Sequence, residues 1–187
     1  MVKRKIIYQG SSKTGLPILV GYPVVEDVEQ LRNFINTISL EQSFILAQGR
    51  QYAEEEEKKY LEQLLDQITN RKAIKLIIFT NEEIIGSADI MLQKDAVSHE
   101  GVFGIIIAKA YRGQGLGKFL MQLVLAEAKK ELADLKIITL GVFGDNPNAE
   151  NMYKSFGFKE YGRLPKGILH RGRYVDHIYM YKTVSDI

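Results

Sequence analysis

The sequence has no cysteine and no tryptophan, and it contains only three histidines and four prolines. Without cysteine, the chain can form no disulfide, no thiolate metal site and no acyl-cysteine intermediate. So few histidines also argue against a catalytic metal, because imidazole is a frequent metal ligand. This composition fits a reducing compartment. We therefore expect a cytoplasmic protein that uses no metal.

Long apolar runs are also missing. No stretch approaches the roughly 18 apolar residues that a membrane-spanning helix needs. The initial Met-Val-Lys-Arg-Lys is followed by only a few apolar residues, too few for the core of a signal peptide. Lys plus Arg number 25 against 23 for Asp plus Glu, so the net charge of +2 gives no argument for a nucleic acid partner. We expect neither a membrane nor a nucleic acid as a partner.

The composition that remains is that of a folded domain. The chain has 187 residues, of which 45% are hydrophobic and 26% are charged. This length can bury a substantial core, and the composition is not that of a disordered chain. No internal repeat, low-complexity segment or linker divides the sequence. We expect residues 1–187 to form a single domain.

The hydrophobic pattern predicts an α/β protein. Amphipathic helices are predicted at 26–38 and 51–69. Strands are predicted at 5–9, 18–22, 74–80, 84–92, 102–107, 137–143, 158–162 and 173–182. The segment between the last two strands contains glycine and proline, and it is predicted to be a loop.

The acidic run at residues 54–57, followed by Lys58 and Lys59, allows two interpretations. A site for a polyamine or another cation is one of them. However, Glu54 and Lys58 have the i,i+4 spacing of an ion pair on a helix, and so do Glu55 and Lys59. A solvated helix face is therefore the favoured interpretation.

The most informative segment runs from residue 105 to residue 121 and is predicted to be a strand, a glycine loop and a helix. The loop has glycine at positions 113, 115 and 117. A helix that begins at such a loop directs unpaired N–H groups and the positive end of its dipole towards it, which favours a phosphate. Arg112 and Lys118 add positive charge on either side. The segment therefore predicts a site for a diphosphate.

Two common phosphate-binding patterns do not fit this loop. The P-loop needs a glycine where the chain has Arg112, and a serine or threonine where it has Phe119. The dinucleotide pattern G-x-G-x-x-G needs a glycine where the chain has Lys118 or Leu120, depending on the starting glycine. A nucleotide-binding protein is therefore disfavoured. A plain strand-to-helix turn is also disfavoured, because it would not need three glycines.

A third pattern, [Q/R]-x-x-G-x-[G/A], is met by Arg112, Gly115 and Gly117. Here the chain resembles the GNAT superfamily of acyl-CoA-dependent N-acetyltransferases. About 30 residues later, the segment from Asn146 to Phe158 looks like the family pattern N-x-x-A-x-x-[LM]-Y-x-x-x-G-F. The ending Gly-x-Tyr-x-Asp-x-x-x-Met at residues 172–180 is similar to members that acetylate protein N-termini, amino acids or polyamines. Together the three stretches cover roughly residues 100–182.

The resemblance implies a GNAT fold, with a mixed, mostly antiparallel central sheet, splayed central strands and flanking helices. Acetyl-CoA would enter between the splayed strands, and its amide-bearing arm would pair with the strand backbone as an added strand would. The first two helices would form one wall of the acceptor groove. The residues implied in binding the coenzyme are Ile105, Ile107, Arg112, Gly113, Gln114, Gly115, Gly117, Lys118 and Asn146.

By the same resemblance, Tyr153 would be the general acid. A phenol can give a proton to the thiolate that leaves when an amine attacks a thioester. The alternative is that Tyr153 only packs in the core, since it shares a helix face with the apolar residues 149, 152 and 156. Asn146 has a comparable alternative, because asparagine before Pro147 is a good helix cap.

The general base is not identified by the resemblance. Many relatives have a glutamate on the strand that enters the loop, where this chain has Val102. Glu100, His99, Asp89 and a water chain remain as candidates.

The sequence therefore predicts an acetyl-CoA-dependent N-acetyltransferase that acts by direct attack in a ternary complex. No cysteine could carry the acyl group, and no serine lies in a recognisable nucleophile elbow. The acceptor would be a small-molecule amine or a protein N-terminus, and a homodimer is common among relatives. The alternative is an acyl-CoA-binding sensor with little or no catalysis.

Overall fold

The computed structural model describes residues 3–186. Met1, Val2 and Ile187 lie outside the described residues. The predictions on a signal peptide and on a single domain of residues 1–187 partly concern them. The strands are β1 (Ile6–Ser11), β2 (Pro17–Gly21), β3 (Ala73–Thr80), β4 (Glu83–Leu92), β5 (Glu100–Ile107), β6 (Ile137–Phe143), β7 (Lys159–His170) and β8 (Arg173–Thr183). The helices are α1 (Val28–Leu40), α2 (Glu54–Thr69), α3 (Leu116–Glu131) and α4 (Pro147–Ser155).

The strands form one sheet in the order β1-β2-β3-β4-β5-β6-β8-β7. Six of the seven neighbouring pairs are antiparallel, and only β5 and β6 run parallel. These two strands pair at only three positions, ending with Val102 opposite Thr139. Beyond that point, β5 remains paired with β4 as far as Ile107, and β6 remains paired with β8 as far as Phe143. The central strands therefore splay apart, which confirms the predicted fold class.

Each face of the sheet buries its own apolar cluster. Helices α3 and α4 cover one face, where Leu120, Val124 and Tyr153 pack with Ile138 and Leu140 of β6. Helices α1 and α2 cover the other, where their apolar residues pack with Ala73, Ile77 and Phe79 of β3. We call these the α3–α4 face and the α1–α2 face. Each face keeps its own helices because successive strand residues point to opposite sides.

Helices α3 and α4 begin at residues that favour a helix start. Gly115 precedes α3 with a φ of 81°, a left-handed conformation that glycine adopts without strain. Asn146 precedes α4, its side chain accepts a hydrogen bond from the Ala149 N–H, and Pro147 occupies the first turn. Among residues 3–186, no helix is long and apolar enough to cross a membrane.

One prediction about local structure was wrong. The segment predicted as a loop after residue 162 belongs largely to β7, which continues to His170. A register shift between Leu164 and Ile168, with Lys166 at a φ of 57°, lets the strand accommodate its proline and glycine. The acidic run on α2 is largely a solvated helix face, as favoured from the sequence, because Glu57 is the one of its four glutamates that is buried. Glu54 pairs with Arg32 across to α1.

Candidate functional site

The splay between β5 and β6 opens a cleft of about 690 Å³. Its walls come from the two strands, the glycine loop, the first turns of α3 and α4, and the loop that follows α1. Among the residues predicted to bind the coenzyme, the structure places these along the cleft: Ile105, Ile107, Arg112, Gly113, Gly115, Gly117, Lys118 and Asn146. Tyr153 lines it as well.

Gln114 is the one predicted residue that does not line the cleft. Its side-chain nitrogen donates to the carbonyl of Ala110, and its oxygen lies 3.4 Å from the hydroxyl of Thr14 in the β1–β2 turn. These contacts hold the outer side of the loop. The structure therefore gives Gln114 a position next to the loop backbone but outside the cleft.

The backbone of β5 presents free groups to the cleft. The N–H of Ala108 donates to the carbonyl of Ile85, on the β4 side. Because backbone groups alternate in direction along a strand, the N–H groups of Ile105 and Ile107 point to the opposite side, where β6 has moved away. The carbonyl of Ile107 already accepts from Nε of Arg112 at 2.7 Å. An extended ligand in the cleft could pair with these amides as a strand would.

The glycine loop exposes the beginning of α3. Gly113 and Gly115 both have positive φ values, of 78° and 81°, and no atom lies within 4 Å of the position of a Cβ on either. The N–H groups of the first turn of α3 have no partner earlier in the helix, so the loop combines free donors with open space. This arrangement suits an anion such as a diphosphate.

Arg112 has a partner that the sequence analysis missed. Its guanidinium lies 2.8 Å from a carboxylate oxygen of Glu41, just after α1. The carboxylate of Glu41 therefore lies beside the predicted diphosphate site and brings a negative charge to it. No signal in the sequence indicates this pairing, because the two residues are 71 positions apart.

Replacing Glu41 with glutamine is expected to strengthen coenzyme A binding about threefold to fivefold. The change removes a negative charge near the diphosphate and frees Arg112 to contact it, on the modest scale of a part-exposed ion pair. Titration calorimetry with coenzyme A measures the effect. Glu160→Gln is the matched control, because it breaks the pair with Arg163 on β7. Weaker binding in Glu41→Gln would mean that Glu41 orients Arg112 for the ligand.

Asn146 caps α4 and also reaches the cleft. Its Oδ1 accepts from the N–H of Ala149 at 3.2 Å. Its amide nitrogen makes no hydrogen bond with any of the described residues. The cap is therefore observed, and the nitrogen is a donor that a ligand in the cleft could use.

Tyr153 combines burial with access to the cleft. Its ring packs edge-on against Phe103 and also contacts Phe158, with ring centroids 6.1 Å away in both cases. Its hydroxyl makes no hydrogen bond within residues 3–186. Burial raises the pKa of Tyr153 to about 12. The phenol is therefore protonated at neutral pH and able to donate.

One wall of the cleft could not be predicted from the sequence. Ser43, Phe44 and Ile45 reach it from the loop after α1. The Phe44 ring contacts Phe143 and His170, with centroids 5.8 and 4.8 Å away. His170 is buried, its Nδ1 lies 2.8 Å from a carboxylate oxygen of Asp145, and its Nε2 lies 3.1 Å from the carbonyl oxygen of Gln42. The contact with Gln42 holds this loop against the end of β7. The segment has no clear periodicity, which left its place in the fold undetermined.

A second cavity of about 450 Å³ lies on the α1–α2 face. Side chains of α1, α2 and the sheet line it, and Ile106 lines both this cavity and the cleft. Its floor carries an ion pair between Lys75 and Asp89 with N and O 3.3 Å apart. Burial raises the pKa of the nearby Glu57, and Lys75 partly offsets this effect. The cavity thus carries charged side chains among its apolar ones, and it is adjacent to the cleft.

The three candidate bases lie in different places. His99 is exposed, in the turn before β5. Glu100 pairs with Ile137 where β5 and β6 are still joined, about five residues or roughly 17 Å along the strand from Ile105. Asp89 lies on β4 opposite Gly104, next to the start of the splay. Only Asp89 is near the point where the cleft opens.

Asp89→Asn is expected to lower the free energy of unfolding by about 3 kcal/mol, because it leaves Lys75 buried without its counter-charge. Burial lowers the pKa of Lys75, but Asp89 and Tyr60 more than offset this and raise it, so its ammonium is charged at neutral pH. Urea denaturation at pH 7 measures the loss. Asp134→Asn, which breaks the exposed pair with Lys72, should leave the midpoint unchanged. An equal midpoint in both variants would contradict the prediction.

The part of the chain that the structure describes holds no cluster of three or more His, Cys, Asp or Glu side chains that could bind a metal.

Comparisons with known proteins agree with this geometry. Residues 39–158 match the acetyltransferase (GNAT) family. An L-amino acid N-acetyltransferase of Escherichia coli is 31% identical over 117 residues, which span 62% of this chain and 72% of that enzyme. A spermidine N(1)-acetyltransferase of Vibrio cholerae is 30% identical over 100 residues, which span 54% of this chain and 57% of that enzyme.

The fold has matches among solved structures. A GNAT-family acetyltransferase from Streptococcus pneumoniae superimposes with a TM-score of 0.81 and 27% identity, covering 89% of this chain and 99% of that one. The match includes both halves of the sheet, on either side of the splay.

Proposed function

Because the chain belongs to the GNAT acetyltransferase family and is thereby an acetyl-CoA-dependent N-acetyltransferase, we propose that it acetylates a primary amine by direct attack in a ternary complex. The observation that carries the proposal is the splay of β5 and β6. It leaves a cleft with free backbone amides on one strand and a glycine loop at its end. The absence of cysteine supports direct attack, because no thiol is present to hold the acyl group.

In this proposal the coenzyme lies along the cleft. The diphosphate binds at the backbone of Gly113, Gly115 and Gly117, with Arg112 and Lys118 beside it. The amide-bearing arm pairs with Ile105 and Ile107, and Asn146 donates from its side-chain nitrogen. The support is that all these groups line one continuous cleft. When bound, the coenzyme supplies a thioester at the end of that arm.

Tyr153 acts as the general acid in this proposal. The amine nitrogen bonds to the carbonyl carbon, the C–S bond breaks, and sulfur takes the proton of the phenol. The support is the position of Tyr153 on the cleft wall, together with a pKa raised to about 12, which keeps the phenol protonated.

The acceptor approaches from the α1–α2 face. The cavity there is adjacent to the cleft, and Asp89 and Glu57 on its walls can attract an ammonium group. The named relatives act on L-amino acids and on spermidine, so amines of both kinds are the first to test, with peptides that carry a free N-terminus as the third class.

A screen of amines with acetyl-CoA tests the function. The assay follows free thiol release, and mass spectrometry of the amine detects the added acetyl group. We expect at least one amine to give equal amounts of thiol and acetylated product. Tight acetyl-CoA binding without turnover of any small amine or peptide would instead indicate an acyl-CoA sensor.

A further inference from the structure

Two glycines face each other where β5 and β6 separate. The last paired residues of the two strands are Val102 and Thr139. Gly104 and Gly141 follow two residues later on their strands. Because side-chain directions alternate, a side chain at either position would point to the same face of the sheet as those of Val102 and Thr139. Ile106, two residues after Gly104, packs with the cluster of the α1–α2 face. Just beyond the last paired residues, therefore, neither β5 nor β6 carries a side chain on the α1–α2 face. We call Gly104 and Gly141 the glycine pair.

The glycine pair has a titratable side chain on each side. A Cβ on Gly104 would lie 3.7 Å from Oδ2 of Asp89. A Cβ on Gly141 would collide with Nε2 of His177, so the imidazole lies directly over the Gly141 backbone. Asp89 on the β5 side and His177 on the β6 side therefore flank the glycine pair, and Gly141 itself lines the cleft.

The surroundings of His177 suit a neutral imidazole. On β6 its neighbours are Gly141 and Phe143, and on β7 they are Leu164 and Gly167, none of which titrates. On its own strand the ring stacks on Tyr179, with centroids 4.2 Å apart and an interplanar angle of 33°.

The charge nearest to His177 in sequence is Asp176, which points to the other face of β8 and pairs with Arg163. Among residues 3–186, no charged side chain forms an ion pair or a hydrogen bond with the His177 ring. Accordingly, burial lowers the pKa of His177 below its ordinary value of 6.5, so the ring is neutral at pH 7.

We propose that His177 is a catalytic base of the acetyl transfer and that Asp89 attracts the incoming ammonium to the glycine pair. This inference rests on the proposed function. It differs from the bases expected from sequence, because His177 lies on β8, away from the strand that enters the glycine loop. Its Nε2 lies over the backbone of Gly141, and Gly141 lines the cleft.

The groups named above account for every proton that moves in the reaction. The acceptor ammonium gives one proton to Nε2 of neutral His177, which releases it to solvent. The amine lone pair then forms the C–N bond, and the C–S bond breaks with its electron pair on sulfur. Sulfur takes the Tyr153 proton, and the phenolate recovers a proton from the new amide nitrogen. Each turnover therefore releases one proton, one amide and one thiol.

The test is the pH dependence of kcat/KM with the best amine of the screen. In the wild type, we expect a loss of rate as pH falls through the pKa of His177, below 6.5, because the protonated ring cannot accept a proton. His177→Gln keeps a polar side chain of similar length but cannot act as a base. In this variant kcat should be about a hundredfold lower, and the loss of rate at low pH, the acid limb of the profile, should disappear. The affinity for coenzyme A should be unchanged. His99→Gln, in the exposed turn before β5, is the matched control and should behave as wild type.

A second variant separates chemistry from packing. His177→Ala should recover part of the lost rate when imidazole is added, because free imidazole can occupy the vacated space and take the proton. A role in packing alone predicts no rescue. A His177→Gln enzyme within threefold of wild type that keeps the acid limb would overturn the proposal, and so would an unrescued Ala variant. Either result leaves acetyl transfer intact, whereas an inactive wild type would count against the proposed function itself.

Discussion

Tyr153→Phe is expected to lower turnover about a hundredfold or more, with little change in coenzyme affinity. The phenylalanine ring keeps the contacts with Phe103 and Phe158 but has no proton to give to the departing sulfur. A positioned general acid is typically worth this much in rate. Because the interaction exists only in the transition state, kcat and kcat/KM should fall together. Steady-state thiol release measures both.

A matched control distinguishes this effect from a general response to losing a buried hydroxyl. Tyr22 is as buried as Tyr153, at 7% exposure for each, but its hydroxyl bonds to Glu127 away from the cleft. Tyr22→Phe should keep its turnover. Melting curves of both variants exclude misfolding. Turnover of Tyr153→Phe equal to that of Tyr22→Phe would remove Tyr153 from the mechanism and leave the proton to solvent.

Gly115→Asp is expected to weaken coenzyme binding at least a hundredfold. An aspartate places a negative charge and a Cβ at the start of α3, where the diphosphate approaches. It must also adopt a φ of 81°, which costs on the order of 1 kcal/mol for a residue with a side chain. Calorimetric titration with acetyl-CoA measures the loss.

The chain offers a glycine that separates backbone strain from charge at the site. Gly172, in the β7–β8 turn, has a φ of 76° and no atom within 4 Å of a Cβ, as at Gly115. Gly172→Asp therefore imposes a similar strain outside the cleft. We expect it to bind acetyl-CoA as the wild type does. Equal affinities in the two variants would disprove the position of the diphosphate.

Features encoded locally in the sequence were predicted well. The strand at 137–143 and the cap of α4 matched the structure, because apolar runs and the Asn-Pro pair act through neighbouring residues. The glycine loop was recognised for the same reason. The splay of β5 and β6 was expected only through the resemblance, since no residue in either strand signals it.

Features that depend on distant parts of the chain were missed. His177 lies beside Gly141 because β8 pairs with β6, and this order of strands cannot be read from spacing along the sequence. Glu41 and Phe44 reach the cleft from a segment without periodicity. The length of β7 was underestimated, because glycine and proline usually interrupt strands, but here a bulge accommodates them. In each case tertiary packing determined the position.

The central claim is that the coenzyme arm lies in the cleft between β5 and β6, and hydrogen exchange of backbone amides tests it most directly. Acetyl-CoA should slow the exchange of the Ile105 and Ile107 amides, which face the cleft, and those of the glycine loop. The amides of Ile106 and Ala108 point towards β4 and serve as internal controls, with little change expected. Saturating acetyl-CoA that leaves Ile105 and Ile107 exchanging as before would contradict the account.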